Sequence, residues 1–432
     1  MPLTRFPRFD RRSAALGLSL LLPLALTTPL PSANAAAPAP GRFEHGWVGT
    51  WSASAQAPWP STIVPPFDPT VAGFDGQTVR EIVHTSAGGS AVRIHLSNAF
   101  GTKPLVIGHA TVGVDKGEAA LDGPPAKITF AGADTVTIPV GKEIVSDPVP
   151  LRVAPLTDLA VSLFLPEATG PTTQHSYANQ INYISKPGDH TGEADGGAFF
   201  RPVLHWFFLS SVDVRSPGTP AVVALGDGTT DGVQAAAEPT NNRWTDVLAR
   251  RLAERGRPAG VLNEGILRNR LLNGSPCFGR SALDRLDSDV FDRTGVRSLI
   301  VLDGVSDIGF PALPDFACLA PRAEVTARQL IDGYRQIIAR AHARGIRVIG
   351  GTLPPLAGSD YDSPANERTR QAVNAWIRHG HGFDAVVDFD RVLRDPADPH
   401  RLLPAYDSGD HLHPNGDGYE AMGRAVDLHA LF

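Results

Sequence analysis

Residues 221–228 read Ala-Val-Val-Ala-Leu-Gly-Asp-Gly, and this stretch decides the fold. The apolar run Ala221–Leu225 is short and continuous, as in a parallel strand that is buried on both faces. The Gly-rich turn Gly226–Gly232 follows, and then comes a helical segment, Asn242–Glu254. Strand, turn and helix in this order are typical of an α/β domain.

The same unit recurs to the end of the chain. Four more short apolar runs predict buried strands: Gly260–Leu262, Leu299–Leu302, Ile346–Ile349 and Ala385–Val387. Helical patterns lie between them. In the clearest one, apolar side chains share a face at helical spacing: Leu330, Ile331, Tyr334, Ile337, Ile338 and Ala341. The alternation predicts a parallel sheet with helices on both sides over residues 221–432.

The preceding region, residues 47–214, has the rhythm of a β-sandwich, with short strands bounded by Gly, Pro and Asp. Val79–His84 and Ala91–Leu96 alternate partly between apolar and polar residues around Ala87–Ser90, which predicts a hairpin. Further strands are expected at Ile128–Phe130, Thr135–Val140 and Leu159–Leu165. A linker is expected over 215–220, within the turn-rich stretch Asp213–Pro220.

The N-terminus has the composition of an export signal. Four arginines precede an almost wholly apolar run, Ser13–Leu26, and Ala33-Asn34-Ala35 is a small-x-small cleavage site. Residues 1–35 are therefore predicted to be a signal peptide, and 36–46 a flexible Ala/Pro-rich segment. The pair Arg11-Arg12 leaves both Sec and twin-arginine export open. We expect a secreted protein.

The composition argues against nucleic-acid binding and a membrane anchor, and it bears on the state of the cysteines. The formal net charge is −6, and no basic stripe of the kind that binds nucleic acid is present. No other stretch is long and apolar enough for a transmembrane anchor. The two cysteines, Cys277 and Cys318, are expected to form a disulfide in an exported protein, the alternative being two buried thiols.

Unusual polar residues follow the predicted strands, where reactive groups collect in a parallel sheet. Three such segments come directly after predicted strands: Gly226–Gly232, Asn263–Arg270 and Asp303–Gly309. A fourth polar segment, Asp410–Pro414, precedes the last helical pattern. In the fourth, Asp410 can hold the His413 imidazole by a hydrogen bond, so that its other nitrogen acts as a general base. A structural turn or, with His411, a metal site is the alternative reading of the same residues.

Together the four segments resemble the SGNH or GDSL family of ester hydrolases, in the family's order and over 221–432. The motifs Val48-Gly49-Thr50-Trp51 and Leu96–Gly101 are similar to a two-domain secreted branch of that family. The resemblance implies a three-layer α/β/α domain with a five-stranded parallel sheet, preceded by the β-sandwich-like domain. It implies small-molecule ester, acylated glycan or lipid ligands, and no cofactor or metal.

The family's signature residues differ here at three positions. Gly228 stands where the family has its nucleophilic serine. Arg268 stands where the family has a glycine whose N–H helps to hold the oxyanion, and an arginine there is strained if φ is positive. Ser306 replaces an oxyanion-binding Asn, whereas Asp410 and His413 match the family pattern.

These differences predict an inactive or strongly impaired relative that binds its ligand without turnover. Glycine has no group with which to attack, so covalent catalysis is lost. Two alternatives keep some activity. His413 activates a water in the space beside Gly228, or a nearby hydroxyl replaces the serine: Thr229, Thr230 or Ser306.

Overall fold

The computed structural model describes residues 46–234, 241–314 and 316–432. The predicted signal peptide, and all but one residue of the Ala/Pro-rich segment, lie outside this range. Two larger antiparallel sheets and two two-stranded pairs build the described region before residue 216, and one parallel sheet lies in the rest.

The first region consists of short strands, as the sequence predicts. They are β1 (Trp47–Ser52), β2 (Gln77–His84), β3 (Val92–Ser97), β4 (Leu105–Ile107), β5 (His109–Gly117), β6 (Ala120–Leu121), β7 (Ala126–Ile128), β8 (Val136–Ile138), β9 (Glu143–Val145), β10 (Asp158–Leu165), β11 (Gln174–His175), β12 (Asn182–Pro187), β13 (Phe199–Val203), β14 (Trp206–Phe207) and β15 (Leu209–Arg215). One short helix, α1 (Pro69–Ala72), interrupts them. The sheets run β1-β15-β3-β9 and β13-β12-β2-β10-β5-β6, with β7 also on β5 and the separate pairs β4-β8 and β11-β14.

The predicted hairpin is wrong. β2 pairs with β10 and β12, whereas β3 pairs with β15 and β9 in the other sheet. Each strand is buried along nearly its whole length and is therefore an interior strand of its own sheet. The connection crosses between the sheets, since the Ser86 N–H donates to Thr50 O on β1 and Gly89 exchanges backbone hydrogen bonds with Val153. The alternation of apolar and polar residues within each strand is the same whether the connection crosses between sheets or forms a hairpin.

The predicted linker begins later than expected. β15 continues to Arg215, so only residues 216–220 are irregular. Asp213 is a fully buried strand residue whose carboxylate lies 2.8 Å from an Arg93 nitrogen and 3.0 Å from His95 Nε2. Aspartate is common in turns, but the Asp213 carboxylate is buried in the core, where these two basic side chains pair with it.

The second region contains the predicted five-stranded parallel sheet, in the order β17-β16-β18-β19-β20. Its strands are β16 (Ala221–Gly226), β17 (Gly260–Gly265), β18 (Val296–Leu302), β19 (Arg347–Gly351) and β20 (Ala385–Val387). Its helices are α2 (Gly228–Asp231), α3 (Trp244–Glu254), α4 (Val305–Gly309), α5 (Ala327–His342), α6 (Pro364–His379), α7 (Phe389–Leu393) and α8 (Gly416–Ala425). A π-helical turn spans Asp287–Phe291, and 3-10 turns span Phe310–Ala312, Ala317–Leu319 and Leu428–Ala430.

Local signals fix where these helices begin. Thr326 and Gln329 form a capping box at α5, and Ser363 caps α6, which has Pro364 in its first turn. The central strand β16 is buried on both faces, as its unbroken apolar run predicts. Since β17 and β18 flank β16, the segments that follow these three strands meet at one edge of the sheet.

Candidate active site

The four polar segments predicted from sequence converge at the carboxyl edge of the sheet. Gly228 opens α2 directly after β16, Arg268 lies in the turn after β17, and Ser306 lies in α4 after β18. His413 reaches the same place from the loop before α8. An ideal Cβ built on Gly228 would lie 2.9 Å from His413 Nε2 and 3.6 Å from the Arg268 backbone nitrogen.

Asp410 holds His413 in one orientation. Its Oδ2 lies 2.6 Å from His413 Nδ1, and its Oδ1 accepts the backbone N–H groups of Leu412 and His413 at 2.9 and 2.8 Å. Burial opposes ionisation of Asp410, but these hydrogen bonds outweigh it and lower the pKa of the carboxyl. Asp410 therefore stays an acceptor and leaves His413 Nε2 free to face Gly228, as in a catalytic His–Asp pair.

Position 228 is closely surrounded. The built Cβ meets His413 Nε2 and, at 3.2 Å, Val233 Cγ2. His413 has thus taken up part of the room that a side chain at this position would need. Gly228 does not have a positive φ, so the backbone here accepts any L-residue.

Arg268 has a positive φ of +55°, so the condition under which an arginine is strained at this position is met. Its half-buried guanidinium makes no ion pair or hydrogen bond with any residue that the structure describes. The turn that carries it is anchored at Leu267, whose N–H donates to Asp231 Oδ2 at 2.8 Å. The backbone N–H of Arg268 remains available to an oxyanion at position 228.

Asp231 connects this turn to the β-rich region. Its Oδ1 lies 3.0 Å from Nε2 of His175, a buried residue of β11 whose Nδ1 lies 3.0 Å from Ser54 O. Burial lowers the pKa of His175, but Asp231 and Ser54 outweigh it and raise the pKa overall. Sequence reasoning missed His175, because no motif relates it to a residue 56 positions away.

Tyr361 is a second residue that the sequence did not indicate. It is 1% exposed, and its hydroxyl has no well-aligned hydrogen-bond partner among the described residues. Burial raises the pKa of Tyr361 to about 12, while the Arg268 charge and the Ser306 hydroxyl oppose the rise. The Tyr361 hydroxyl therefore lies near the Ser306 hydroxyl and within electrostatic range of the Arg268 charge.

Three carboxyls lie beneath the site and are fully buried. Asp227 caps α2 by accepting the Thr229 N–H at 3.0 Å, and Asp307 accepts the N–H groups of Leu271 and Leu272. Burial raises the pKa of Asp227 to about 6 and that of Asp307 to about 7. Burial and the two neighbouring carboxyls raise the pKa of Asp303 well above its usual range, and neither of its oxygens has a well-aligned hydrogen-bond partner among the described residues.

The possible substitute hydroxyls differ in position. The Thr230 hydroxyl lies against Gly226 on the strand side of the turn. Thr229 is 3% exposed, and Ser306, which is 2% exposed, lies beside Tyr361. His413 Nε2 has no hydrogen bond to any of the three.

His411 pairs with Asp407 and not with Asp410 or His413. Its Nδ1 lies 2.5 Å from Asp407 Oδ2, and about half of its side chain is exposed. Within 46–234, 241–314 and 316–432, no group of three or more ligating side chains is placed to hold a metal ion.

The predicted disulfide is confirmed, because Cys277 and Cys318 are bonded with Cα atoms 5.1 Å apart. It joins the loop after β17 to the 3-10 turn Ala317–Leu319. The adjoining Phe278 packs edge-to-face on Phe310, in a small apolar cluster that also contains Tyr361 and Leu412. The bond therefore ties together two loops beside the site.

The sheet order and the His–Asp pair define the second region as a hydrolase-like α/β domain. Residues 224–421 match the model of the GDSL-like Lipase/Acylhydrolase family. The sequence-based assignment of family and fold is thereby confirmed. A search of the curated proteins found no match.

Three of the solved structures that this chain matches are similar to it over about half of its length. A GDSL-like lipase from Bacteroides thetaiotaomicron is 18% identical, covering 49% of this chain and 87% of its own, with a TM-score of 0.35. A lipase/acylhydrolase from Enterococcus faecalis is 18% identical, with coverages of 48% and 93% and a TM-score of 0.36. The acetyl xylan esterase AlAXEase is 15% identical, with coverages of 48% and 96% and a TM-score of 0.36.

Proposed function

We propose that this chain is a non-acylating relative of the ester hydrolases, which binds a small ester, an acylated glycan or a lipid without covalent turnover. One observation carries the proposal. The residue that His413 Nε2 faces is Gly228, which has no hydroxyl to deprotonate. Loss of a triad nucleophile lowers turnover by up to about a millionfold in other hydrolases.

The two oxyanion positions support the same proposal. Ser306 has a shorter side chain than the Asn of the family pattern, and one oxyanion donor is worth about 3–4 kcal/mol of transition-state stabilisation. Arg268 adds a bulky cation in a backbone conformation that favours glycine. The His413–Asp410 pair is nevertheless ordered by hydrogen bonds, so the site keeps a built polar surface that a ligand can contact.

A second candidate function is slow hydrolysis by an activated water. His413 Nε2 would take a proton from the water, the resulting hydroxide would attack the acyl carbon, and the alcohol would leave with that proton. The free Nε2 atom and the available N–H of Arg268 favour this route. Binding and oxyanion contacts alone sustain about 10³–10⁴-fold acceleration in serine hydrolases without their triad.

Turnover of short-chain aryl esters separates these functions. Three forms are compared: the unaltered chain, His413→Ala, and a restored variant carrying Gly228→Ser, Arg268→Gly and Ser306→Asn. The binding proposal predicts turnover by the restored variant only. Turnover by the unaltered chain that is lost in His413→Ala would replace the proposal with the water route. An inert restored variant that is folded would show that the site assignment is wrong.

We also propose that the protein is exported. The N-terminal pattern supports it, and so does the disulfide, since such bonds persist in oxidising compartments. Among the described residues, no helix has the length and apolar character needed to cross a bilayer. N-terminal sequencing of the protein from culture medium tests this, and an uncleaved N-terminus in the cell fraction would contradict it.

A further inference from the structure

His175 is a buried residue of the β-rich region that bonds to the second region next to the candidate active site. Its Nε2 lies 3.0 Å from Asp231 Oδ1, and its Nδ1 lies 3.0 Å from the carbonyl oxygen of Ser54. Both partners are acceptors, so both ring nitrogens donate and the imidazole carries a positive charge. The raised pKa of His175 agrees with this charge. His175 and Asp231 therefore form a buried ion pair between the two regions.

The segment that carries His175 is itself held in place. Gln174 exchanges backbone hydrogen bonds with Gln56, and the Gln56 side chain accepts the Ser176 N–H at 2.9 Å. The Trp206 ring packs on the His175 ring with the centroids 5.6 Å apart. The imidazole is thus a fixed support for its partner Asp231.

Arg243 joins the same two segments a second time. Its Nε donates to the Asp231 carbonyl oxygen at 2.8 Å, and its Nη2 donates to the Ala178 carbonyl oxygen. The end of α2 is therefore bound to the β-rich region through both the side chain and the backbone of Asp231.

Asp231 uses its second carboxylate oxygen to hold the turn after β17. Oδ2 accepts the Leu267 N–H at 2.8 Å. The next residue is Arg268, whose backbone nitrogen lies 3.6 Å from an ideal Cβ on Gly228. Two hydrogen bonds, from His175 to Asp231 and from Leu267 to Asp231, thus connect the β-rich region to this turn.

We infer that His175 is a positioning residue of this site: through Asp231, it holds the turn that presents the Arg268 N–H to a ligand oxygen beside Gly228. Both partners of the ion pair are 4% exposed, and removing one partner of a buried pair leaves the other charge uncompensated. The β-rich region is then a working part of the site. The inference rests on the proposed function only in placing the ligand oxygen beside Gly228.

Hydrogen–deuterium exchange of the full chain, followed by mass spectrometry of peptides that span Gly265–Asn269, tests the inference. His175→Gln should accelerate exchange in this turn about tenfold or more, because Asp231 loses its charged partner. Asp231→Asn keeps the size of the side chain and an oxygen for Leu267, and it should accelerate exchange severalfold because its acceptor is neutral. Asp231→Asn decides the question if His175→Gln does not fold.

His95→Gln is the matched control, since it breaks another buried pair of a histidine and a carboxylate. His95 Nε2 lies 3.0 Å from Asp213 Oδ2, and His95 Nδ1 lies 3.4 Å from Glu143. None of these residues bonds to the turn, so exchange there should match that of the unaltered chain. Unchanged exchange in both His175→Gln and Asp231→Asn, or equal acceleration in His95→Gln, would overturn the inference.

A kinetic readout separates positioning from general destabilisation. In the restored triple variant, His175→Gln should lower the maximal rate of fluorophosphonate labelling about tenfold and leave the half-saturating probe concentration within about twofold, because a displaced N–H stabilises the oxyanion less. An unchanged maximal rate in a restored variant that labels would also overturn the inference. The exchange measurement uses the unaltered site, so its result is independent of turnover by the restored variant, which tests the proposed function.

Discussion

The contacts around position 228 determine how much Gly228→Ser changes the free energy of unfolding. The added Cβ would lie 2.9 Å from His413 Nε2 and 3.2 Å from Val233 Cγ2. Both contacts are with the ends of side chains, which need to move by a few tenths of an ångström. The loss of glycine's freedom in the unfolded chain gives back about 0.4–1 kcal/mol. Gly228→Ser should therefore change the free energy of unfolding by less than about 1 kcal/mol.

Gly226→Ala, two positions before Gly228, should lower the free energy of unfolding by more than Gly228→Ser does. Its new Cβ would meet the backbone carbonyl of Leu302 and the Thr230 side chain, and the carbonyl cannot withdraw without disturbing the sheet. Overpacking of this kind costs about 1–3 kcal/mol or more. Urea unfolding of both variants measures the difference. A loss above about 2 kcal/mol for Gly228→Ser would refute the account of position 228.

The restored serine also has a chemical readout. Gly228→Ser alone should react with a fluorophosphonate probe, but about 10²–10³ times more slowly than the double variant Gly228→Ser/Ser306→Asn, because one oxyanion donor is still missing. Equal rates for the two variants would show that Ser306 does not stand at the oxyanion position.

Three further predictions concern stability. Arg268→Gly should raise the free energy of unfolding by about 0.5–1 kcal/mol, because glycine relieves the strain at φ +55°; destabilisation in urea would contradict this. Replacing Cys277 and Cys318 by Ser should cost about 3–4 kcal/mol, since the bond closes a separation of 41 residues, and an unchanged melting temperature would count against it. Glu81 is fully buried, and burial raises its pKa well above the usual range despite a hydrogen bond from Phe207. Between the ordinary pKa of a glutamate and the raised pKa of Glu81, the folded state keeps a proton that the unfolded state releases. The free energy of unfolding therefore falls as the pH rises through this interval. Glu81→Gln should flatten this fall by up to about 1.4 kcal/mol per pH unit, and identical pH profiles for the two proteins would refute the assignment.

The second region could be predicted from sequence because its signals are local. The run Ala221–Leu225 is buried on both faces, and an unbroken apolar stretch reports that directly. The spacing of Asp410 and His413 likewise fits their hydrogen bond, because both lie on one turn. Such features depend on residues that are close in the chain.

The features that were missed depend on contacts between distant segments. β2 and β3 resemble a hairpin over twenty residues, yet their partners are strands far along the chain. His175 and Tyr361 join the site from segments that have no chemical motif. Asp213 has a turn-forming side chain that becomes acceptable in a strand once Arg93 and His95 pair with it. Long-range pairing of this kind leaves no periodic pattern to detect.

With Gly228 in place of a serine, the unaltered chain should form no covalent adduct at position 228. Intact-protein mass spectrometry after incubation with a fluorophosphonate measures this directly, with the restored triple variant as the positive control. We expect no mass increase for the unaltered chain and one added phosphonyl group for the control. A stoichiometric adduct on the unaltered chain that disappears in His413→Ala would contradict it.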